Sequence, residues 1–265
     1  MKSLPLVTAA LLCVAAATAL AHTPYLAPSN FAPQGGETIA LDAAFAETFF
    51  VPETAFDHSH FTVTGPDGKV VAPDTVQRLK TRTVVEHALP QAAGTYRFST
   101  GPRPGALFRT WEIGGKQESS RDPDVKIPAG AKVLSNFQSL TLAETYVTVG
   151  APDRGALHPT GKGLELVPVN HPNDLYVGEV FEFVMQYDGK PLADQKVEIA
   201  EAVWTSDRKP HVETLLTDAQ GHAVFKLQEA GTWVALSRYR TPAPAGAPVD
   251  EISNSITLTF RVLDQ

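Results

Sequence analysis

The metal-binding potential of this chain rests on its eight histidines, and foremost on His22. Ala19-Leu20-Ala21 is a small-x-small pattern of the kind a signal peptidase cuts, and a cut after Ala21 makes His22 the new N-terminus. A free N-terminal histidine offers one metal two nitrogens, its α-amine and its imidazole Nδ1. Unperturbed, such groups titrate near ~7.7 and ~6.5, so neither holds its proton strongly at neutral pH. Amine and imidazole nitrogens suit borderline divalent metals such as Ni, Cu and Zn. The three-residue N-terminal copper/nickel motif is excluded because it needs histidine in third place. Pro24 stands there, and proline has no backbone N–H to ionise. Further ligands must come from elsewhere in the chain.

His58 and His60 are the first candidates. At i and i+2 of an extended segment their side chains point the same way, which suits two ligands on one face. Glu53 and Asp57 lie close by, and His87, beside Glu86 at the end of an expected strand, is a fourth candidate ligand. The competing reading is that His-x-His in a loop is solvent-exposed polar surface. His171, in Asn170-His171-Pro172-Asn173-Asp174, sits where turn chemistry accounts for the Asn and Asp. His158, His211 and His222 read as surface residues. Phe45, Phe49, Phe50 and Phe56 form a Pro-interrupted apolar segment that reads as core rather than as a binding groove. Enzyme signatures are missing: there is no Gly-rich phosphate loop, Gly-x-Ser-x-Gly elbow or His-Glu-x-x-His. Nothing in the sequence gives catalysis positive support.

The N-terminus sets the compartment. Lys2 supplies a positive start, and Leu6 to Leu20 is an apolar run too short for a comfortable membrane span. Residues 1–21 are therefore expected to be a signal peptide that sends the mature chain to a periplasm, with no membrane insertion after cleavage. The single cysteine, Cys13, leaves with the signal. The mature chain then has no disulfide, thiolate ligand or thiol nucleophile. With 22 basic and 29 acidic residues the formal charge is −7, one unit more negative without Lys2. An acidic chain without a basic cluster argues against nucleic acid or anionic lipid as a partner.

The elements that must position these residues read as strands. Short β-prone runs are punctuated by 19 Gly, 21 Pro and many Asp. Thr38 to Asp42, Phe61 to Thr64, Thr81 to Glu86, Thr95 to Ser99 and Leu107 to Trp111 alternate or run apolar. Gly65-Pro66-Asp67-Gly68 should turn the second of these into Lys69-Val70-Val71. Later come Leu164 to Pro168, Val180 to Val184, Val197 to Ala200, Ala223 to Phe225, Thr232 to Ala235 and Ser255 to Val262, with turns at Asp188 to Leu192 and Asp218 to His222. The expectation is an all-β chain of two immunoglobulin-like or transthyretin-like β-sandwich domains, over 22–113 and 163–265. An irregular connector, 114–162, joins them, with Phe137 to Val149 offering one strand between the halves. Ala93-Gly94-Thr95-Tyr96 and Ala230-Gly231-Thr232-Trp233 place the same signature in each half.

The opening Ala21-His22-Thr23-Pro24-Tyr25-Leu26-Ala27-Pro28 resembles the mature start of a domain-of-unknown-function family of periplasmic nickel-uptake proteins, whose members begin with histidine after a signal ending in alanine. Gly163-Leu164-Glu165-Leu166-Val167-Pro168, Asn173-Asp174-Leu175-Tyr176-Val177-Gly178 and Asp188-Gly189-Lys190-Pro191-Leu192 resemble the second half of that family. So do Thr217-Asp218-Ala219-Gln220-Gly221 and Ala230 to Trp233. The resemblance implies a periplasmic accessory of nickel or cobalt import, and it carries over one ligand only, His22. It favours nickel among the divalent transition metals, with Cu, Co and Zn as the other possibilities, and an envelope metal transporter as partner. The alternative is a metal-independent envelope interaction or scaffold module.

Overall fold

The computed structural model describes residues 22–48, 51–202 and 210–264. The expected signal segment 1–21 with Cys13, and Phe49 and Phe50, lie outside them. The first half contributes β1 (Thr23–Pro28), β2 (Thr38–Ala46), β3 (Thr54–Ala55), β4 (Thr62–Thr64), β5 (Val70–Val71), β6 (Thr75–Arg78), β7 (Thr83–Ala88), β8 (Gly94–Ser99) and β9 (Arg103–Ile113). Next come β10 (Lys116–Ser120) and the long β11 (Lys132–Val149). The rest is β12 (Leu164–Pro168), β13 (Val180–Tyr187), β14 (Lys190–Pro191), β15 (Lys196–Glu201), β16 (Val212–Leu216), β17 (His222–Lys226), β18 (Gly231–Pro242) and β19 (Glu251–Val262). Apart from one 3-10 turn, Gly155–Leu157, the regular structure among the described residues is strand.

The strands form three sheets. The first runs β1-β2-β7-β6 with β3 on the other side of β2; the third runs β12-β13-β14 with β17 on β13. The second is continuous across the two halves of the chain, β16-β15-β18-β19-β11-β8-β4-β5, with β9 and β10 attached beside β11. Its joint is a parallel pairing of β11 with β19, from Phe137↔Glu251 to Thr145↔Thr259. Successive strand residues face opposite sides, and β11 uses both. Ala143, Val147 and Val149 enter a core with Leu26, Ile39, Leu41 and Phe98. Tyr146 enters another with Phe181, Phe183, Trp233 and Phe260.

These cores hold the fold. Phe181, Phe183 and Phe260 are fully buried, and each such side chain is worth about 1.5–3 kcal/mol, against about 0–1 kcal/mol for an exposed ion pair. The chain is all-β, as its alternation implies, and the expected turns form. Gly68 and Gly221 take positive φ of 76° each, and β4 pairs with β5 across Gly65 to Gly68. The stretch expected to be an irregular connector is a correction. It carries β10 and the strand at the centre of the second sheet. β11 begins exposed and ends wholly buried, so no single alternating pattern marks its length.

Candidate metal centre

The corner of the first sheet is built by the ends of three strands. β2 is flanked by β1 and β3, with Thr23 opposite Ala46 and Thr54 opposite Phe45. His22 precedes Thr23, Glu47 follows Ala46 and Glu53 precedes Thr54, so the register alone brings all three to one corner. The Glu53 N–H donates to the Phe45 carbonyl at 3.1 Å. The Glu53 carboxylate then serves two neighbours: Oε1 accepts the Glu47 N–H at 2.9 Å, and Oε2 lies 3.1 Å from His22 Nδ1. One ligand atom from each of His22, Glu47 and Glu53 lies within 4.8 Å of the others. All three side chains are exposed, and Tyr25, Ala44 and Ala46 are buried beside them. Burial, with Asp42 nearby, drives the Tyr25 hydroxyl well above its ordinary range, so it stays a neutral phenol.

Such a corner can hold a divalent ion through one imidazole nitrogen and two carboxylates while leaving positions open. Nitrogen and oxygen donors together suit Ni, Cu, Co or Zn. Two of the ligands, His22 and Glu53, already meet at 3.1 Å, which lowers the ordering cost of capture.

The other expected ligands lie elsewhere. Among the described residues, the group of metal-ligating side chains that forms is His22 with the two glutamates, and it contains neither His58, His60 nor His87. His58 adopts φ +50°, so the segment is not extended there and the i, i+2 alternation expected for His58 and His60 fails. The His58 side chain is 81% exposed, with Nε2 3.8 Å from Asp57. His60 is exposed too, and its carbonyl packs against Gly101. His87 pairs with Ile39, seven residues along β2 from Ala46, or roughly 23 Å. Its ring meets Phe98 edge-on at 5.9 Å and faces Asp74 at 3.3 Å.

Asp57, the other acid near His58, is committed to structure. Arg103 Nε donates to its carbonyl at 2.9 Å and to its carboxylate at 2.8 Å, and Arg78 adds a contact at 3.2 Å. Partial burial pushes the Asp57 carboxyl up, but the Arg103 hydrogen bond and the two guanidinium charges hold it below its ordinary range. The Arg103 guanidinium lies 5.1 Å from the Phe45 ring, itself stacked on buried Phe56 at 4.6 Å.

His171 does more than close a turn. Its Nδ1 accepts the Asn173 N–H at 3.1 Å, so Nε2 carries the proton, 2.9 Å from both the Asp153 carbonyl and Thr95 Oγ1. Asn173 Nδ2 donates to the carbonyls of Phe31 and Tyr146 and to Thr148 Oγ1. The loop thus ties the third sheet's approach to β8 and β11. Of the remaining histidines, His158 lends its carbonyl to Arg97, His211 packs edge-on against Trp233 at 5.7 Å, and His222 faces Glu182 at 3.5 Å.

A family model for a domain of unknown function, DUF4198, matches residues 19–241. No curated protein matches the sequence. Among solved structures, the D0-D1 domain of intimin is 10% identical at a TM-score of 0.21, covering 89% of this chain and 96% of that one. The Yersinia pseudotuberculosis adhesin InvE is 15% identical at 0.22, covering 89% and 58%. The Escherichia coli adhesin FdeC is 14% identical at 0.23, covering 91% and 64%. TM-scores this low carry no weight for function.

Proposed function

The chain belongs to the DUF4198 family, and from that premise we propose that it is an exported metal-binding protein that captures a divalent transition metal, nickel favoured, and assists its uptake. The observation that carries this reading is the corner where His22 Nδ1 meets the Glu53 carboxylate at 3.1 Å with Glu47 alongside. Cleavage after Ala21 would place a free amine on the same residue, giving a two-nitrogen, two-carboxylate donor set. The resemblance at the mature start supports nickel, the apolar leader supports a periplasmic location, and an open, exposed site suits handover to an envelope transporter.

The test is calorimetric titration of the processed, metal-stripped protein with Ni, Cu, Co and Zn, alongside His22→Ala and Glu53→Gln. The reading expects saturable one-to-one binding that His22→Ala abolishes and Glu53→Gln weakens by roughly tenfold or more. Equal binding by all three proteins, or none by the parent, would refute it. A metal-independent envelope interaction module is the second reading. It is favoured by β16, which ends the second sheet with Val212 and Leu216 exposed at 53% and 65%.

A further inference from the structure

A groove of about 750 Å³ opens where the end of β1 and the turn after it meet β18 and β19. Small-molecule sites commonly enclose ~300–1,000 Å³ and favour junctions between packed units. Arg82 and Arg261 both line it, together with Thr232, Pro28, Phe31 and Leu41. Thr232 is the direct cross-strand partner of Arg261, so hydroxyl and guanidinium project side by side from one face of the second sheet.

The charge balance of the groove is opposite to that of the chain. The whole sequence carries −7, yet the one acid lining the groove is Asp42, and Arg82 neutralises it at 2.8 Å. Arg261 is exposed, and no ion pair occupies it among the described residues. Its planar fork of N–H donors matches a carboxylate in geometry as well as charge. A second hollow of about 190 Å³ shares Phe31 and Arg261, but there Asp174 contributes to the lining. An anion belongs in the larger groove.

We infer that this groove binds a small organic carboxylate, held by Arg261 and the Thr232 hydroxyl, with Arg82 cancelling the charge of Asp42 and Phe31 and Pro28 supplying an apolar wall. The groove begins at Ala27, five residues or roughly 17 Å along β1 from His22. It is therefore a separate site, and it goes beyond the metal reading.

The test uses metal-stripped, processed protein at low ionic strength, titrated with citrate and with benzoate by calorimetry and ligand-observed NMR. Saturable binding of at least one probe is expected. Arg261→Gln should weaken it by at least about tenfold, the loss expected for a charge-assisted pair. His22→Ala should leave it unchanged, which keeps the outcome independent of the metal site. Arg261 is exposed, so its replacement should preserve the circular dichroism and melting temperature; Arg82→Gln is the second variant and should weaken binding less. No saturable binding of either probe, or equal affinity in the parent and Arg261→Gln, would overturn the inference.

Discussion

Glu53 reaches both of its neighbours at once, Glu47 N–H through Oε1 and His22 Nδ1 through Oε2, and this makes it the organiser of the corner. Glu47→Gln should therefore cost less metal affinity than Glu53→Gln, since Glu47 can be replaced by water in an exposed site whereas Glu53→Gln also removes the carboxylate that faces His22 Nδ1; parallel titrations would show the order. His22 could be singled out in the sequence because the expected cleavage pattern, Ala19-Leu20-Ala21, is local. Glu47 could not, because its nearness to His22 depends on the β1–β2 register. His58 and His60 misled because alternation presumes an extended chain, and His58 is left-handed. At His171 burial, together with Arg154, pushes the imidazole below its ordinary range, against the opposing Asp153 and Asp174. A depressed folded value means that neutral His171 stabilises the fold fully above the ordinary imidazole range. That contribution is lost as pH falls through the range toward the folded value. Replacing His171 by Ala should cost about 1–3 kcal/mol at pH 7 by leaving buried partners unmet. The gap to the parent should narrow in acid, as urea denaturation at a series of pH values would measure. A gap constant with pH would contradict the neutral latch.

The two copies of the Ala-Gly-Thr-aromatic signature show how far an element can be read from its residues. Gly94 and Gly231 adopt nearly the same rare backbone, φ +151° and +149°, and each opens a strand whose second following residue, Tyr96 or Trp233, is buried. The surroundings differ. A Cβ on Gly94 would sit 2.6 Å from Pro66, whereas one on Gly231 would meet nothing nearer than 3.9 Å. Both alanine variants should bear backbone strain of about 1–3 kcal/mol, and Gly94→Ala should add about 1–3 kcal/mol of overpacking. Denaturant midpoints should fall further for Gly94→Ala; equal falls would mean that Pro66 yields freely. β12 was legible to the residue, because Leu164 and Leu166 alternate into the core. β11 was legible only in its second part, because its exposed start carries no burial pattern.

At the scale of the molecule, the second sheet decides how the halves behave. Because β11 packs into both cores and pairs with β19, damage to one core must reach the other. Phe260→Ala, in the core away from the candidate metal corner, should cost about 3–5 kcal/mol. Near-UV dichroism and hydrogen exchange of β8 should still report one coincident transition; two separated transitions would mean that the halves fold independently. The sequence offered Phe137 to Val149 as a strand between the halves but not its pairing with β19, since pairing between strands so distant in the chain leaves no local mark. The candidate metal corner stands at the ends of β1, β2 and β3, and its exposed side chains belong to neither of the two large cores. The proposed site requires the amine that cleavage after Ala21 would release, and one comparison addresses it directly: nickel titration of the chain beginning at His22 against the same chain with one alanine added before it. Tight binding by the first and at least about a tenfold loss in the second is the predicted result. Equal affinities would contradict an N-terminal chelate.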